Sequence, residues 1–131
     1  MIGKKVTEEL TVSPQIDASD VEAIKAAGFR SILCNRPDGE EPGQPDYAAI
    51  EEAAAVLGLD IYHQPVMSGG LRDEDVDRFA GHLDQLPAPV FAYCRSGTRC
   101  IMLWALAESR KRPMPEVLEM ARKAGYNLGG G

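Results

Sequence analysis

The sequence predicts an α/β domain of three layers, with a central, mostly parallel sheet of about four to five strands covered by helices on both faces. Short apolar, β-rich runs alternate along the chain with helical patterns of about a dozen residues, which requires right-handed crossovers and parallel strands. The first two helical patterns each end on a glycine, Gly28 and Gly58, suited to a left-handed C-terminal position. No internal repeat or interdomain linker interrupts the alternation, so residues 1–128 are expected to form one catalytic domain and residues 129–131 a flexible tail.

Taken in order, residues 10–16 (LTVSPQI) read as a short strand. Asp17 and Asp20 then cap a helix running to Ala27, with Val21 and Ile24 facing the core. Residues 29–34 (FRSILC) form the next strand. The segment 35–45 (NRPDGEEPGQP) carries three prolines and two glycines and is therefore loop, long enough to be functional. Asp46 can cap a second helix over 47–58, and residues 59–66 (LDIYHQPV) follow as a strand. After the turn MSGG, the spacing of Val76, Phe79, Ala80 and Leu83 predicts an amphipathic helix ending near Leu86. Residues 89–94 (PVFAYC) are an apolar strand, residues 98–109 an apolar helix, and a last helix runs from Pro115 to Gly125.

A chain of 131 residues with 44% hydrophobic residues can bury one core without staples. A formal net charge of −6 disfavours nucleic acid and anionic membrane as partners, since both need clustered Lys and Arg. No apolar run reaches the roughly 18 residues of a membrane span, and MIGKKVTEEL lacks a signal peptide's apolar segment, so a cytoplasmic protein is expected. Three cysteines, at 34, 94 and 100, make no disulfide framework. With only His63 and His82 beside them, they offer no zinc spacing, and neither metal nor cofactor is expected.

The chemistry concentrates in Cys94-Arg95-Ser96-Gly97-Thr98-Arg99, between a strand and a helix. Ligands of open α/β sheets bind beyond the carboxyl ends of the strands, which is where Cys94 stands. Backbone amides of the loop and a helix N-terminus worth about half a positive charge favour thiolate over thiol, and Arg95 and Arg99 add to this. Gly97 supplies the backbone freedom that a ring of inward-pointing amides needs. A cysteine in an apolar strand is ordinarily inert core, but two arginines, a serine and a glycine beside it are poor core material.

The string YCRSGTR resembles the active-site loop of rhodanese-type sulfurtransferases and the Cys-and-Arg phosphate loop of protein tyrosine phosphatases. With NRPDGEEPGQP and the ending AGYNL, nearly the whole chain resembles the phosphatase-like domains of beta-lactamase hydrolase-like proteins. That resemblance implies a tyrosine-phosphatase-like fold and either phosphatase or sulfur-transfer chemistry.

A tyrosine-phosphatase loop sets its arginine six residues after the cysteine, whereas here position 100 is cysteine and Arg99 comes one residue early. Tyr93 precedes the nucleophile where that superfamily has histidine, and MSGGL offers no carboxylate to protonate a leaving alkoxide. Asp73, Glu74 and Asp75 suit the dipole of a helix N-terminus better than an acid role. The expectation is therefore a sulfurtransferase. Cys94 takes sulfane sulfur as a persulfide, Arg95, Arg99 and Arg36 hold a small anionic donor, and the amides of Ser96, Gly97 and Thr98 stabilise the sulfur anion before a thiol acceptor receives it. The resemblance adds a persulfide dioxygenase acting in trans as a further partner. The alternatives are a phosphatase working through a Cys94 phosphoenzyme and a noncatalytic module that binds a persulfide or an anion. Glu40 stands beside Arg36 as a candidate pocket residue. Cys34, Cys100, His63, His82 and Trp104 read as packing or surface residues, with Cys100 also able to resolve an oxidised Cys94.

Overall fold

A computed structural model describes residues 3–128, and the tail expected at 129–131 lies outside the described residues. Its strands are β1 (Lys4–Thr7), β2 (Leu10–Ser13), β3 (Ser31–Cys34), β4 (Asp60–His63) and β5 (Val90–Tyr93). They form one sheet in the order β1-β2-β5-β3-β4. β1 runs antiparallel to β2, and the other neighbours are parallel. The helices are α1 (Val21–Ala26), entered through a 3-10 turn at Ala18–Asp20, then α2 (Tyr47–Val56), α3 (Asp73–Gln85), α4 (Thr98–Glu108) and α5 (Met114–Lys123).

Period-two alternation in the central strands feeds two cores. Ile32, Cys34, Phe91 and Tyr93 face one side, where they pack with Ile16, Val21, Ile24, Ile50 and Ala54 of α1, α2 and their approaches. Leu33, Val90 and Ala92 face the other, with Val76 and Phe79 of α3, Ile101, Leu103 and Trp104 of α4, and Val117 and Ala121 of α5. Burial on both faces explains why these strands read as continuous apolar runs.

The expected strands and helices all form, mostly with shorter ends, although α5 starts at Met114, one residue before the expected Pro115. Strand pairing stops at Ser13 because Pro14 has no amide to donate. The helix expected over 17–27 is split by its 3-10 entry, where the Asp20 carboxylate accepts the Asp17 amide. Two features were not anticipated. β1 has no apolar alternation of its own and forms by pairing with β2 across a tight turn. At α2 the Tyr47 amide is taken by Asp38 at 2.8 Å, from the long loop, rather than by the expected Asp46. The loop is thus tied to the helix that follows it. No helix among the described residues is long and apolar enough to cross a membrane.

The register positions the site. Ser13 and Cys34 both pair with Tyr93, and Cys34 also pairs with His63, so β2, β5, β3 and β4 end level on one rim. The ladder runs one step further through Asn35 N–H to Tyr93 O at 2.9 Å, Gln64 N–H to Cys34 O at 2.8 Å and Cys94 N–H to Ser13 O at 3.2 Å. Leu33, fully buried in a central strand, makes the test of this core: Leu33→Ala is expected to lose about 3 kcal/mol in chemical denaturation, whereas Glu52→Ala on the exposed face of α2 changes stability by less than about 0.5 kcal/mol.

Candidate active site

Cys94 leaves β5 and has no exposed surface. Burial alone would raise its pKa, yet the thiol is lowered to about 5. The largest cause is a hydrogen bond from the Cys100 side chain, followed by the backbone amides of Cys100, Arg99 and Ser96. Gly97 N–H donates to Cys94 Sγ at 3.1 Å. The Cys100 thiol is itself pushed well above its ordinary value by complete burial and by the neighbouring Cys94 sulfur. Cys100 therefore stays protonated as the donor, and Cys94 carries the charge.

Gly97 makes the turn possible. Its φ of +91° is in the left-handed region, and an added Cβ would collide with the Tyr126 hydroxyl. Tyr126 in turn donates through its hydroxyl to Ser96 O at 3.1 Å, and Gln15 N–H donates to Arg95 O at 3.2 Å. The cradle is thereby held from outside by the chain's end and by the residues after β2. Tyr126 lies 30 residues from its partner, so no local pattern announces it; its only signal was the ending AGYNL.

The other expected site residues fall into three positions. Ser96 and Thr98 line the rim, with Ser96 Oγ donating to Thr98 Oγ1 at 2.9 Å. The Thr98 amide donates to Ser96 Oγ at 3.3 Å, where the expectation gave it to the sulfur. Arg95 is largely exposed and reaches only to 3.8 Å from Glu41. Arg99 is buried in the first turn of α4, where Nη1 donates to Glu40 Oε2 at 2.7 Å and to Val66 O at 2.9 Å, while Nη2 donates to Glu40 Oε1 at 2.8 Å. The bidentate pair fixes the plane of the guanidinium. Glu40 falls to about 2 through the Arg99 hydrogen bonds first and those of Arg36 next, so it is a carboxylate at every working pH.

Arg36 borders the hollow beside Arg95 and Arg99 with its guanidinium already engaged. It is 1% exposed, and its nitrogens are spent on Glu40, Gln15 and Glu41. His63 Nε2 donates to Arg36 O at 2.8 Å, with its ring stacked on Tyr47, and Cys34 Sγ donates to the same carbonyl at 3.4 Å. Burial pushes the Cys34 thiol up to about 11, so it is inert beside Cys94. His82 packs against Tyr62 with its ring tilted by 39°, and Trp104 is core. Asp75 is turned to the Arg72 amide at 2.9 Å as a helix cap, in keeping with the dipole role.

Above the cradle opens a cleft of about 400 Å³, bounded by Arg95, Ser96 and the α4 residues Thr98, Arg99 and Met102, and by Met67, Ser68, Gly69 and Leu71 from the segment after β4. None of these is a carboxylic acid. Glu40 and Glu41 border an adjoining hollow together with Arg36, Arg95 and Arg99, and both are held ionised by the arginines. The site can stabilise an anion next to a thiolate.

Residues 3–111 match the family described as beta-lactamase hydrolase-like protein, phosphatase-like domain. A beta-lactamase hydrolase-like protein of Agrobacterium fabrum is 37% identical over 105 residues, covering 80% of this chain and 24% of its own. This chain spans about a quarter of the length of the curated relatives it matches. The crystal structure of a candidate phosphatase from Neisseria meningitidis superposes with a TM-score of 0.88 at 40% identity, covering 98% of this chain and 92% of the other. TpbA of P. aeruginosa, solved in complex with pTyr, superposes with a TM-score of 0.70 at 15% identity over 91% of this chain and 70% of its own, a likeness of fold alone.

Alkylation of Cys94 by iodoacetamide is expected to follow thiolate formation with a midpoint near pH 5, rising from acid and level by neutrality, where an ordinary thiol would still be rising toward 9. Cys100→Ala should move that midpoint upward, and Cys100→Ser, which keeps a donor, should move it less. The midpoints follow from rates measured by mass spectrometry across pH. Gly97→Ala is expected to slow alkylation at pH 6 by forcing the loop off Tyr126.

Proposed function

This chain belongs to the phosphatase-like domain family of beta-lactamase hydrolase-like proteins, and on that premise we propose that it hydrolyses phosphate monoesters through a Cys94 phosphoenzyme. The observation that carries the reading is a buried cysteine ionised near pH 5 within hydrogen-bond distance of a backbone amide and beside a guanidinium fixed by two bonds to Glu40. Cys94 Sγ attacks phosphorus, the bond from phosphorus to the ester oxygen breaks, and the alcohol leaves as its anion. Amides of the cradle and the free edge of Arg99 face the phosphoryl oxygens as charge builds on them. Water then attacks the phosphocysteine, releasing dihydrogen phosphate and the thiolate.

The cleft supports a particular ester. With no acid at hand, the leaving group must be stable as an anion, which selects aryl over alkyl phosphates. Met67, Leu71 and Met102 offer an apolar wall to an aromatic ring, to which thioether sulfurs are well suited.

Sulfane-sulfur transfer is the second reading, and the same missing acid favours it. Cys94 would attack the outer sulfur of thiosulfate, the S–S bond would break with sulfite leaving, and the resulting persulfide would pass its outer sulfur to a thiol. Arg99, reached after five residues, gives a tight ring that suits one sulfur atom. A persulfide dioxygenase as partner in trans belongs to this reading only.

With p-nitrophenyl phosphate the expected result is phosphate release at neutral pH, lost by about 1,000-fold or more in Cys94→Ser, with alkyl phosphates turned over far more slowly. Absence of phosphate release, with thiocyanate formed from thiosulfate and cyanide and a gain of about 32 Da on the Cys94 peptide, would replace this reading by the second.

A further inference from the structure

We propose that Arg36 is a positioning residue for anion binding: from beneath the cleft it holds Glu40, so that Arg99 meets the anion with its orientation set and its charge not cancelled. The inference deepens the reading of Cys94 and Arg99 as the reacting centre and rests on it.

Arg36 heads the largest fully buried side chains. An arginine taken out of water is costly unless its donors are met, and a well-packed apolar residue of similar volume generally serves stability as well or better. Its partners here lead toward the site. Nε donates to Glu40 Oε1 at 2.8 Å, the oxygen that also accepts Arg99 Nη2 at 2.8 Å. Nη1 donates to Gln15 Oε1 at 3.0 Å, and Nη2 to Glu41 Oε1 at 2.8 Å. Its backbone is pinned by His63 at 2.8 Å, so the guanidinium is placed from both ends. Gln15 also ties its own amide to Arg95 O, linking the same residue to the cradle.

Charge gives the network its purpose. A single Glu40 facing only Arg99 would make a neutral pair and weaken the pull on an anion. Two guanidiniums sharing Glu40 leave one positive charge over, while Glu41, half exposed and facing Arg95 at 3.8 Å, is screened by solvent and by that second arginine. Removing Arg36 would neutralise the Arg99 pair and free Glu40 Oε1 to turn. A lysine at 36 would keep the charge without the planar fork that reaches Glu40, Gln15 and Glu41 together.

The test uses the full chain and needs no turnover: protection of Cys94 from iodoacetamide, a neutral reagent, by inorganic phosphate and by thiosulfate. In Arg36→Met, at a pH where Cys94 is fully thiolate in both proteins, the anion concentration giving half-protection is expected to rise about 10-fold, and in Arg36→Lys a few-fold. A merely structural role would lower the melting temperature and leave half-protection of the folded protein unchanged, and that result overturns the proposal. If Arg36→Met does not fold, Arg36→Lys decides, with unchanged half-protection overturning it. A wild-type chain protected by neither anion also overturns it. Protection that follows this pattern in a chain without phosphate release sinks the phosphatase reading and leaves the role of Arg36 standing.

Discussion

A sulfur atom with no contact to solvent can hold a negative charge only where the protein supplies the hydrogen bonds that water would have given it. Burial and ionisation pull Cys94 in opposite directions, and its lowered pKa records that the donors win. Those donors are mostly peptide amides, which cost no side-chain entropy to aim once the loop is shaped. The loop's shape is accordingly what the surrounding structure protects. Gly97 permits the left-handed turn, Tyr126 and Gln15 hold the carbonyl side, and α4 begins as soon as the turn is complete.

The sheet brings the remaining parts to that sulfur. Because β2, β3, β4 and β5 end in register, the segments leaving them start from one line: Gln15 from β2, Arg36 and Glu40 from β3, Val66 and Met67 from β4, Cys94 from β5. Arg99 then ties three of these together, bonding to Glu40 and Val66 from the helix that follows Cys94. A fold in which the rim was staggered by a residue or two could carry the same loop sequence without bringing Glu40 within reach of Arg99.

Much of this was legible before any coordinate. Short apolar, β-rich runs and the glycines at 28 and 58 defined the four parallel strands and their helices, and the mixture of Arg, Ser and Gly around Cys94 marked the reactive loop. What escaped was whatever depends on distant pairing. β1 is polar and gains its strand character from β2. Thr98 looked like a cradle amide, but the position of Ser96 Oγ decides otherwise, and that is a matter of rotamers. Arg36 looked like an anion contact because arginine in a loop after a strand ordinarily is one. Its burial and its bonds to Glu40 and Glu41 depend on how the loop folds back, which no local pattern announces. The balance between phosphoryl and sulfur chemistry is equally hidden in the sequence, since both ask for the same thiolate, and the match to the phosphatase-like family tips it.

The hydroxyl of Tyr126 has a consequence for how such domains are delimited. The family match ends at residue 111, yet the strut that braces the loop at Ser96 arrives 15 residues later. A fragment trimmed to the matched region would retain every charged group of the site while its reactive turn lay open on one side. Nascent protein leaving a ribosome would pass through the same half-built condition, with its nucleophile already made and its outer wall still to come.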